Sequence, residues 1–157
     1  MTELPLGDPP LTEVGDRLEL SAPADEATIE LTHELLTRLW DRHTGVSVGI
    51  RARFELGLIE ILTNVIEHSF AVDGPPNPLL HVEGRRVLIT LGATDRSVRA
   101  RLSDNGYPVH IDLSSATMPD EESESGRGLA MALETLSGLA FSRDEGRNIW
   151  ELRCDLT

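Results

Sequence analysis

The segment 54–70, FELGLIEILTNVIEHSF, carries acidic, amide and imidazole side chains at a spacing that could do chemistry. Glu60, Asn64 and His68 are four residues apart, so an α-helix would stack them on one polar face, which also includes Gly57. A carboxylate there could orient a nucleophile, and a carboxamide one turn away could ligate a divalent cation. Taken alone, the pattern is more often the solvated face of an amphipathic helix.

Two glycine-containing motifs later in the chain could contribute to a binding site. In segment 103–108, SDNGYP, Asp104 could accept a charge-assisted hydrogen bond and Gly106 would let the backbone approach a flat ring. Segment 125–129, SGRGL, has two glycines at a predicted helix start, where backbone N–H groups can face an anion. Alone, each motif is more commonly a turn or a hinge. The chain has no P-loop motif, and the GxG of 126–128 does not follow a strand directly, as a Rossmann turn would.

The periodicity of the surrounding segments predicts the elements that position these motifs. Alternation of apolar and polar residues predicts strands, with short connections at Thr94–Asp95 and around Gly146. Helical spacing predicts three helices, the first capped by Asp25 and the second following a break at Gly45. The predicted strands cover 17–22, 85–93, 97–104, 139–144 and 148–154, and the predicted helices cover 25–43, 46–70 and 128–137.

The element order β-α-α-β-β-α-β-β predicts an α/β fold. We expect a two-layer sandwich in which a mixed, mainly antiparallel sheet carries the helices on one face. Residues 17–157 would form one domain after a flexible lead-in over residues 1–16, which are rich in proline and glycine. The loop 71–84 is also rich in proline, and no role is assigned to it.

The composition narrows the classes of function. The formal net charge is −13 and every basic residue is arginine, so we expect no direct contact with nucleic acid. No apolar run approaches the ~20 residues that span a bilayer, and the N-terminus has no signal-peptide pattern, so we expect no membrane contact. Cys154 is the only cysteine, which agrees with a reducing, cytoplasmic address. The most basic stretch is predicted to be an outer strand face carrying Arg85, Arg86, Arg96, Arg99 and Arg101.

Three motifs coincide in chain order: E-x-x-x-N on a helix, D-x-G-x-P after a strand, and G-x-G-L at a helix start. With them the chain resembles the ATP-binding domain shared by gyrase, heat-shock chaperones, histidine kinases and mismatch-repair ATPases, the GHKL ATPases with a Bergerat-type fold. The run T-N-x-x-x-H over Thr63–His68 and the compact length are typical of one branch, the anti-sigma factor serine/threonine-protein kinases. The resemblance covers about residues 17–153.

The resemblance implies a role for each matching residue. Asn64 would ligate the Mg²⁺ ion that bridges the ATP phosphates, and Glu60 would be the catalytic base that faces the attacking serine hydroxyl. Asp104 would hold the adenine amino group, and Gly106 would give the ring room. His68 matches the branch pattern, and two roles are open for it. It would either line the pocket or support the helix. The phosphates would be cradled by backbone N–H groups of Gly126, Arg127, Gly128 and Leu129.

The chain departs from the family pattern in two places. The family often has a threonine on a late strand that reaches adenine through water, whereas this chain reads GRNIWEL, with Asn148 and Trp150. The resemblance implies that residues 109–125 form a lid over the nucleotide, and this segment is acidic, with no lysine or arginine before Arg127. Because acids closing over a triphosphate would repel it, we expect them to face outward.

By resemblance, we expect an ATP-dependent serine protein kinase and anti-sigma-type regulator. It would phosphorylate a STAS-domain anti-anti-sigma protein and alternately hold a sigma factor or another regulator, which is partner switching. The alternative is a catalytically weak nucleotide-binding module that regulates by sequestering a protein partner. A third reading, a detached histidine-kinase catalytic domain, would need a phosphoacceptor histidine on a dimerising hairpin, whereas His33 and His43 are expected to be surface residues. A homodimer is a further expectation from the resemblance.

Overall fold

The computed structural model describes residues 11–14, 16–70, 84–108 and 124–157, with side chains at 16–70, 84–108 and 128–157. Within these ranges the chain forms six strands and three helices. The strands are β1 (Leu11–Val14), β2 (Arg17–Pro23), β3 (Arg86–Ala93), β4 (Ser97–Asp104), β5 (Gly138–Asp144) and β6 (Arg147–Asp155). The helices are α1 (Ala27–Arg42), α2 (Val48–His68) and α3 (Glu124–Thr135).

The strands form one sheet in the order β1-β2-β3-β4-β6-β5, and every described pairing is antiparallel. The predicted α/β sandwich is confirmed, although the described strands form a purely antiparallel sheet rather than a mixed one. Short connections account for three of these pairings, β1–β2, β3–β4 and β5–β6, because strands joined by tight turns must run in opposite directions. Glu145 and Gly146, which join β5 to β6, have φ values of 49° and 79°, as a two-residue hairpin turn requires.

The lead-in predicted for residues 1–16 contains a strand. β1 pairs along its whole length with the first part of β2 and extends the sheet by one strand. The prediction of a loose segment is therefore wrong for residues 11–14, and residues 1–10 lie outside the described part of the chain. The segment LTEV does not alternate between apolar and polar residues, and a short edge strand is stabilised mainly by the strand beside it.

All three helices start at residues other than the predicted ones, and α1 and α2 each start two residues later. α1 begins after Glu26 rather than at an Asp25 cap, and the Glu26 side chain makes no capping hydrogen bond. The Thr28 hydroxyl donates a hydrogen bond to the Pro23 carbonyl, which joins the helix start to the end of β2. α2 begins after Ser47, whose Oγ accepts a backbone N–H bond at 3.3 Å.

In the described ranges, no helix combines the length and apolar character needed to cross a membrane.

The helices pack on one face of the sheet, and the apolar core lies between the two layers. α1 contacts β2 and β3, and α2 contacts β4 and β6. Alternate strand residues and the apolar arc of α2 supply the core, as their spacing predicts. Its fully buried side chains include Leu18, Leu20, Leu35, Leu39, Phe54, Leu58, Ile61, Leu62, Ile89, Leu91 and Leu102.

The other face of the sheet carries the arginines of β4. Arg99 and Arg101 are exposed, as predicted for an outer strand face, and Arg101 lies opposite Glu151 of β6. Arg85 precedes β3, and its guanidinium carbon lies 5.6 Å from the centre of the Phe70 ring. Charges of opposite sign therefore balance part of this face, and Arg85 lies apart from it.

α2 and α3 approach each other closely at Gly57. A Cβ at this position would lie 2.7 Å from Cγ of Leu136, which directly follows α3. Gly57 is buried, so it is a packing contact and not part of a solvated polar face. The small residue lets the two helices pack with little space between them.

Replacing Gly57 by leucine should destabilise the protein. The new side chain would collide with Leu136, and overpacking of this kind costs about 1–3 kcal/mol. Urea unfolding followed by circular dichroism would measure the free energy of unfolding. Gly49→Leu is the matched control, because a Cβ at Gly49 in the first turn of α2 meets open space. Equal stability of the two variants would contradict the close approach of α2 and α3.

Candidate functional site

The polar face of α2 meets the start of α3. Glu60 and Asn64 are half-buried on α2. A Cβ added to Gly128 would lie 2.7 Å from Glu60 Oε2 and 3.5 Å from Asn64 Nδ2. The structure therefore brings together three residues that the sequence predicts in one site, and the absence of a side chain at Gly128 lets the Glu60 carboxylate lie against the backbone of α3.

α3 begins at Glu124, four residues before the predicted start at Gly128. A helix leaves about its first four N–H groups without helical partners, and here these include Gly126 but not Gly128 or Leu129. Leu129 is half-buried and packs against the apolar core, so its side chain serves the fold. Gly128 contributes to the site by lacking a side chain, and the free N–H groups belong to the turn before it.

Asp104 forms a second polar centre, where β4 ends. It is fully buried. Its Oδ1 accepts hydrogen bonds from the Gly106 N–H at 2.8 Å and from Asn148 Nδ2 at 3.0 Å. Its Oδ2 lies 3.5 Å from the Ser69 hydroxyl, just beyond α2. Burial raises the pKa of this carboxyl above its ordinary value, while the hydrogen-bond donors and the nearby Arg143 charge lower it.

Gly106 is required by the packing of the chain itself. The Tyr107 N–H donates to the Ser69 carbonyl at 2.7 Å, and a Cβ on Gly106 would collide with that carbonyl oxygen. The contact joins the loop after β4 to the end of α2. The packing of the chain therefore requires glycine at position 106, whether or not a flat ring is bound.

Asn105 fixes the same loop to the start of β3. Its Oδ1 accepts the Arg86 N–H at 2.9 Å, and its Nδ2 donates to the Gly84 carbonyl at 2.6 Å. Asn105 is fully buried. The Asp-Asn-Gly motif is therefore a hydrogen-bonded junction between three elements and not a solvent-exposed turn.

Asp104, Asn148 and Arg143 form one row across three strands. The register places Asn148 of β6 opposite Asp104 of β4 on one side and opposite Arg143 of β5 on the other. Arg143 Nη1 donates to Asn148 Oδ1 at 2.9 Å and to the Gly106 carbonyl at 3.0 Å. Asn148 Nδ2 also donates to the Tyr107 carbonyl at 2.9 Å. These bonds hold both the carboxylate and the loop beside it.

The sequence predicts Asn148 only as a departure from a family pattern, and it does not single out Arg143. One feature of the sequence could have predicted that Arg143 and Asn148 lie opposite each other. The Glu145–Gly146 turn sets the hairpin register, which places Arg143 opposite Asn148. The pairing of β4 with β6, which adds Asp104 to the row, has no comparable local signal.

α2 joins the two polar centres. Asn64 and Ser69 are five residues apart, which corresponds to about 7.5 Å along a helix, and Glu60 lies about 6 Å further along the same axis. One rigid helix therefore sets the separation between the Glu60–Asn64 centre and the Asp104 centre.

The comparison with known families agrees with this arrangement. The family model of the histidine kinase-like ATPase domain matches residues 22–153, which include both polar centres. The chain belongs to the histidine kinase-like ATPase domain family. It is thus an ATP-binding module of the GHKL type, with the antiparallel sheet and one-sided helices described above. A comparison with curated proteins finds no match.

The residues of this ATPase domain fit a nucleotide with a divalent cation. Mg²⁺ prefers oxygen ligands and usually takes one or two from the protein and others from phosphates and water. Asn64 Oδ1 can supply one, since it lies beside Glu60 near the start of α3, 3.8 Å from the position of a Cβ on Gly128. Asp104 Oδ2 can accept a hydrogen bond from a base amino group. Within the described residues, no three His, Cys, Asp or Glu side chains form a cluster that could hold a metal ion.

Other predicted features of the ATPase domain stay predictions. His68 is exposed at the end of α2, and its Nε2 lies 3.6 Å from Glu67 Oε2. The predicted lid lies outside the described residues as far as 123, and the loop without an assigned role lies outside them over 71–83.

Replacing Asp104 by asparagine should stabilise the fold and weaken ATP binding. Because burial raises the folded-state pKa of Asp104, wild-type stability falls as pH rises from the ordinary carboxyl pKa to the raised one. The amide of the Asp104→Asn variant has no charge to bury, so its stability advantage should be present at pH 7 and shrink on acidification. Loss of a charged acceptor should weaken ATP binding by about 10- to 100-fold.

Urea unfolding at several pH values and calorimetric titration with ATP would measure both effects. The exposed Asp95 of the β3–β4 connection offers the control variant Asp95→Asn, which should change neither quantity. Unchanged ATP affinity in the Asp104 variant would remove Asp104 from the binding site.

Proposed function

We propose that this chain is an ATP-dependent serine/threonine-protein kinase that acts as an anti-sigma-type regulator. The observation that carries the proposal is the position of Glu60 and Asn64 beside Gly128, with Asp104 held at the far end of the same helix. Phosphoryl transfer depends on positioning and charge stabilisation more than on covalent chemistry by the protein. One carboxylate, one metal ligand and a set of backbone donors are therefore sufficient.

In the proposed reaction the two polar centres have different tasks. Asp104 accepts a hydrogen bond from the adenine amino group, and Asn64 ligates Mg²⁺. When bound, Mg²⁺ neutralises charge on the phosphate oxygens. Glu60 accepts the proton of the substrate serine hydroxyl. At the same time the serine oxygen bonds to the γ-phosphorus, and the bond between that phosphorus and the β–γ bridging oxygen breaks.

The protein partners we infer are those of a partner-switching system. The serine belongs to a STAS-domain anti-anti-sigma protein, and the second partner is a sigma factor or another regulator. The T-N-x-x-x-H run of α2 and the family match support this choice, and the net charge of −13 favours protein partners over nucleic acid. The kinase would act as a homodimer, in common with the branch it resembles.

The second candidate is a nucleotide-binding module that acts only by sequestering a protein. The burial of Asp104 favours this second candidate. Asp104 has no solvent-exposed surface, so a base must displace a neighbouring group to reach its carboxylate. Asn148 also stands where the family often has threonine. Slow or weak nucleotide binding would suit sequestration better than repeated turnover.

Glu60→Gln should retain ATP binding and slow phosphoryl transfer by about 100-fold or more, since a general base typically contributes at least that factor. Mass spectrometry of proteins that co-purify with the chain would first identify its STAS-domain partner. Incubation with that partner, Mg²⁺ and γ-labelled ATP would then measure phosphoserine. Glu67→Gln is the matched control, because Glu67 is exposed on the same helix.

Two outcomes would change the proposal. Unchanged transfer by Glu60→Gln would exclude Glu60 as the base. A wild-type chain that binds ATP and the STAS-domain protein without forming phosphoserine would support the sequestering module instead.

A further inference from the structure

We propose that Arg143 and Asn148 are positioning residues that turn Oδ2 of the Asp104 carboxylate toward the nucleotide base and so select adenine over guanine. The inference rests on the proposed function, because it takes Asp104 as the acceptor for the base. It concerns residues that never touch the nucleotide in that scheme. The evidence is the pattern of hydrogen bonds around the two carboxylate oxygens.

The two oxygens of Asp104 have different surroundings. Oδ1 accepts two hydrogen bonds of normal length, from Gly106 N–H at 2.8 Å and from Asn148 Nδ2 at 3.0 Å. Within the described residues, Oδ2 has only the Ser69 hydroxyl, at the 3.5 Å limit of a hydrogen bond. The carboxylate is therefore held by Oδ1, and Oδ2 keeps the capacity to accept a strong bond.

Arg143 supports both donors of Oδ1 without contacting Asp104. Its Nη1 donates to Asn148 Oδ1 at 2.9 Å, which directs the Nδ2 end of that amide toward Asp104. The same nitrogen donates to the Gly106 carbonyl at 3.0 Å and so holds the residue whose N–H is the second donor. Loss of Arg143 would loosen both supports at once.

The charge of Arg143 matters as well as its hydrogen bonds. The end of α2 presents the neutral Ser69 to Asp104, β6 presents the neutral Asn148, and β3 places the apolar Val87 opposite it in the register. Arg143 of β5 is the charged group that acts on the carboxyl among the described residues. It opposes the effect of burial and favours the ionised form.

The ionised form is the one that distinguishes the two purine bases. A carboxylate accepts a hydrogen bond from the amino group of adenine, whereas guanine presents a carbonyl oxygen at the same position and is repelled. A protonated carboxyl can donate to that carbonyl, so the distinction weakens. Because Arg143 and Asn148 keep Asp104 ionised and oriented, they determine base specificity through it.

The test compares nucleotide binding by four variants of the full chain. Arg143→Met and Asn148→Ala should each weaken ATP binding by about tenfold and lower the ratio of ATP to GTP affinity. In Arg143→Met the loss should grow as pH falls, since Asp104 becomes protonated at a higher pH than in wild type. Arg143→Lys should recover most of the affinity, because an ammonium group keeps the charge and can donate to both carbonyl oxygens.

Calorimetric titration with ATP and GTP between about pH 5.5 and 8 would measure these quantities. Arg101→Met is the matched control, because Arg101 is exposed on the other face of the sheet. Circular dichroism verifies folding, and Arg143→Met is the safer variant because Arg143 is only half-buried.

The outcomes separate the inference from the proposed function. If Arg143→Met and Asn148→Ala keep the affinity, base preference and pH profile of the wild type, the positioning role is overturned and the proposed function is not. An equal loss at every pH, with Arg143→Lys no better than Arg143→Met, would also overturn it, because a purely structural role predicts that result. A wild-type chain that binds neither nucleotide would overturn both the inference and the proposed function.

Discussion

The close approach of α2 and α3 is the constraint on which the rest of the site depends. Two glycines permit it: Gly57, where an added Cβ would meet Leu136, and Gly128, where it would meet Glu60. The contacts pair the earlier residue of α2 with the later residue near α3, so the two helices pack antiparallel. Glu60 and Asn64 consequently face a helix start, where free N–H groups and the helix dipole favour an anion. Without this approach the same residues would form an ordinary solvated face.

The Asp104 centre depends on a balance between the cost of burial and the hydrogen bonds that offset it. Asp104 is fully buried, and burial of a carboxylate costs free energy that hydrogen bonds must offset. Gly106, Asn148 and Arg143 supply that compensation from a loop and two strands. A fold selected for stability alone would place an apolar residue at the end of β4. The carboxylate therefore fits the proposed role as acceptor for a nucleotide base, and α2 connects it to the Glu60–Asn64 centre.

Much of this arrangement could be predicted from the sequence, because it depends on local periodicity. Alternation locates β2 to β6, and helical spacing places Glu60 and Asn64 on one face. Features that depend on partners in space were missed or misjudged: β1 needs β2, and Gly57 belongs to a helix contact and not to a polar face. Arg143 acquires its role only through the pairing of β6 with both β4 and β5. The sequence predicts the start of α3 four residues too late, because its glycines lie inside the first helical turns.

The most direct test of the account is a calorimetric titration of the wild-type chain with ATP, in the presence of Mg²⁺ and again with the metal removed by chelation. If Asn64 and the start of α3 form the phosphate end of an ATP site, ATP should bind with Mg²⁺ at least about tenfold more tightly than without it. Binding that is equal in the two conditions would contradict the role of Asn64. The absence of binding in both would contradict the site as a whole.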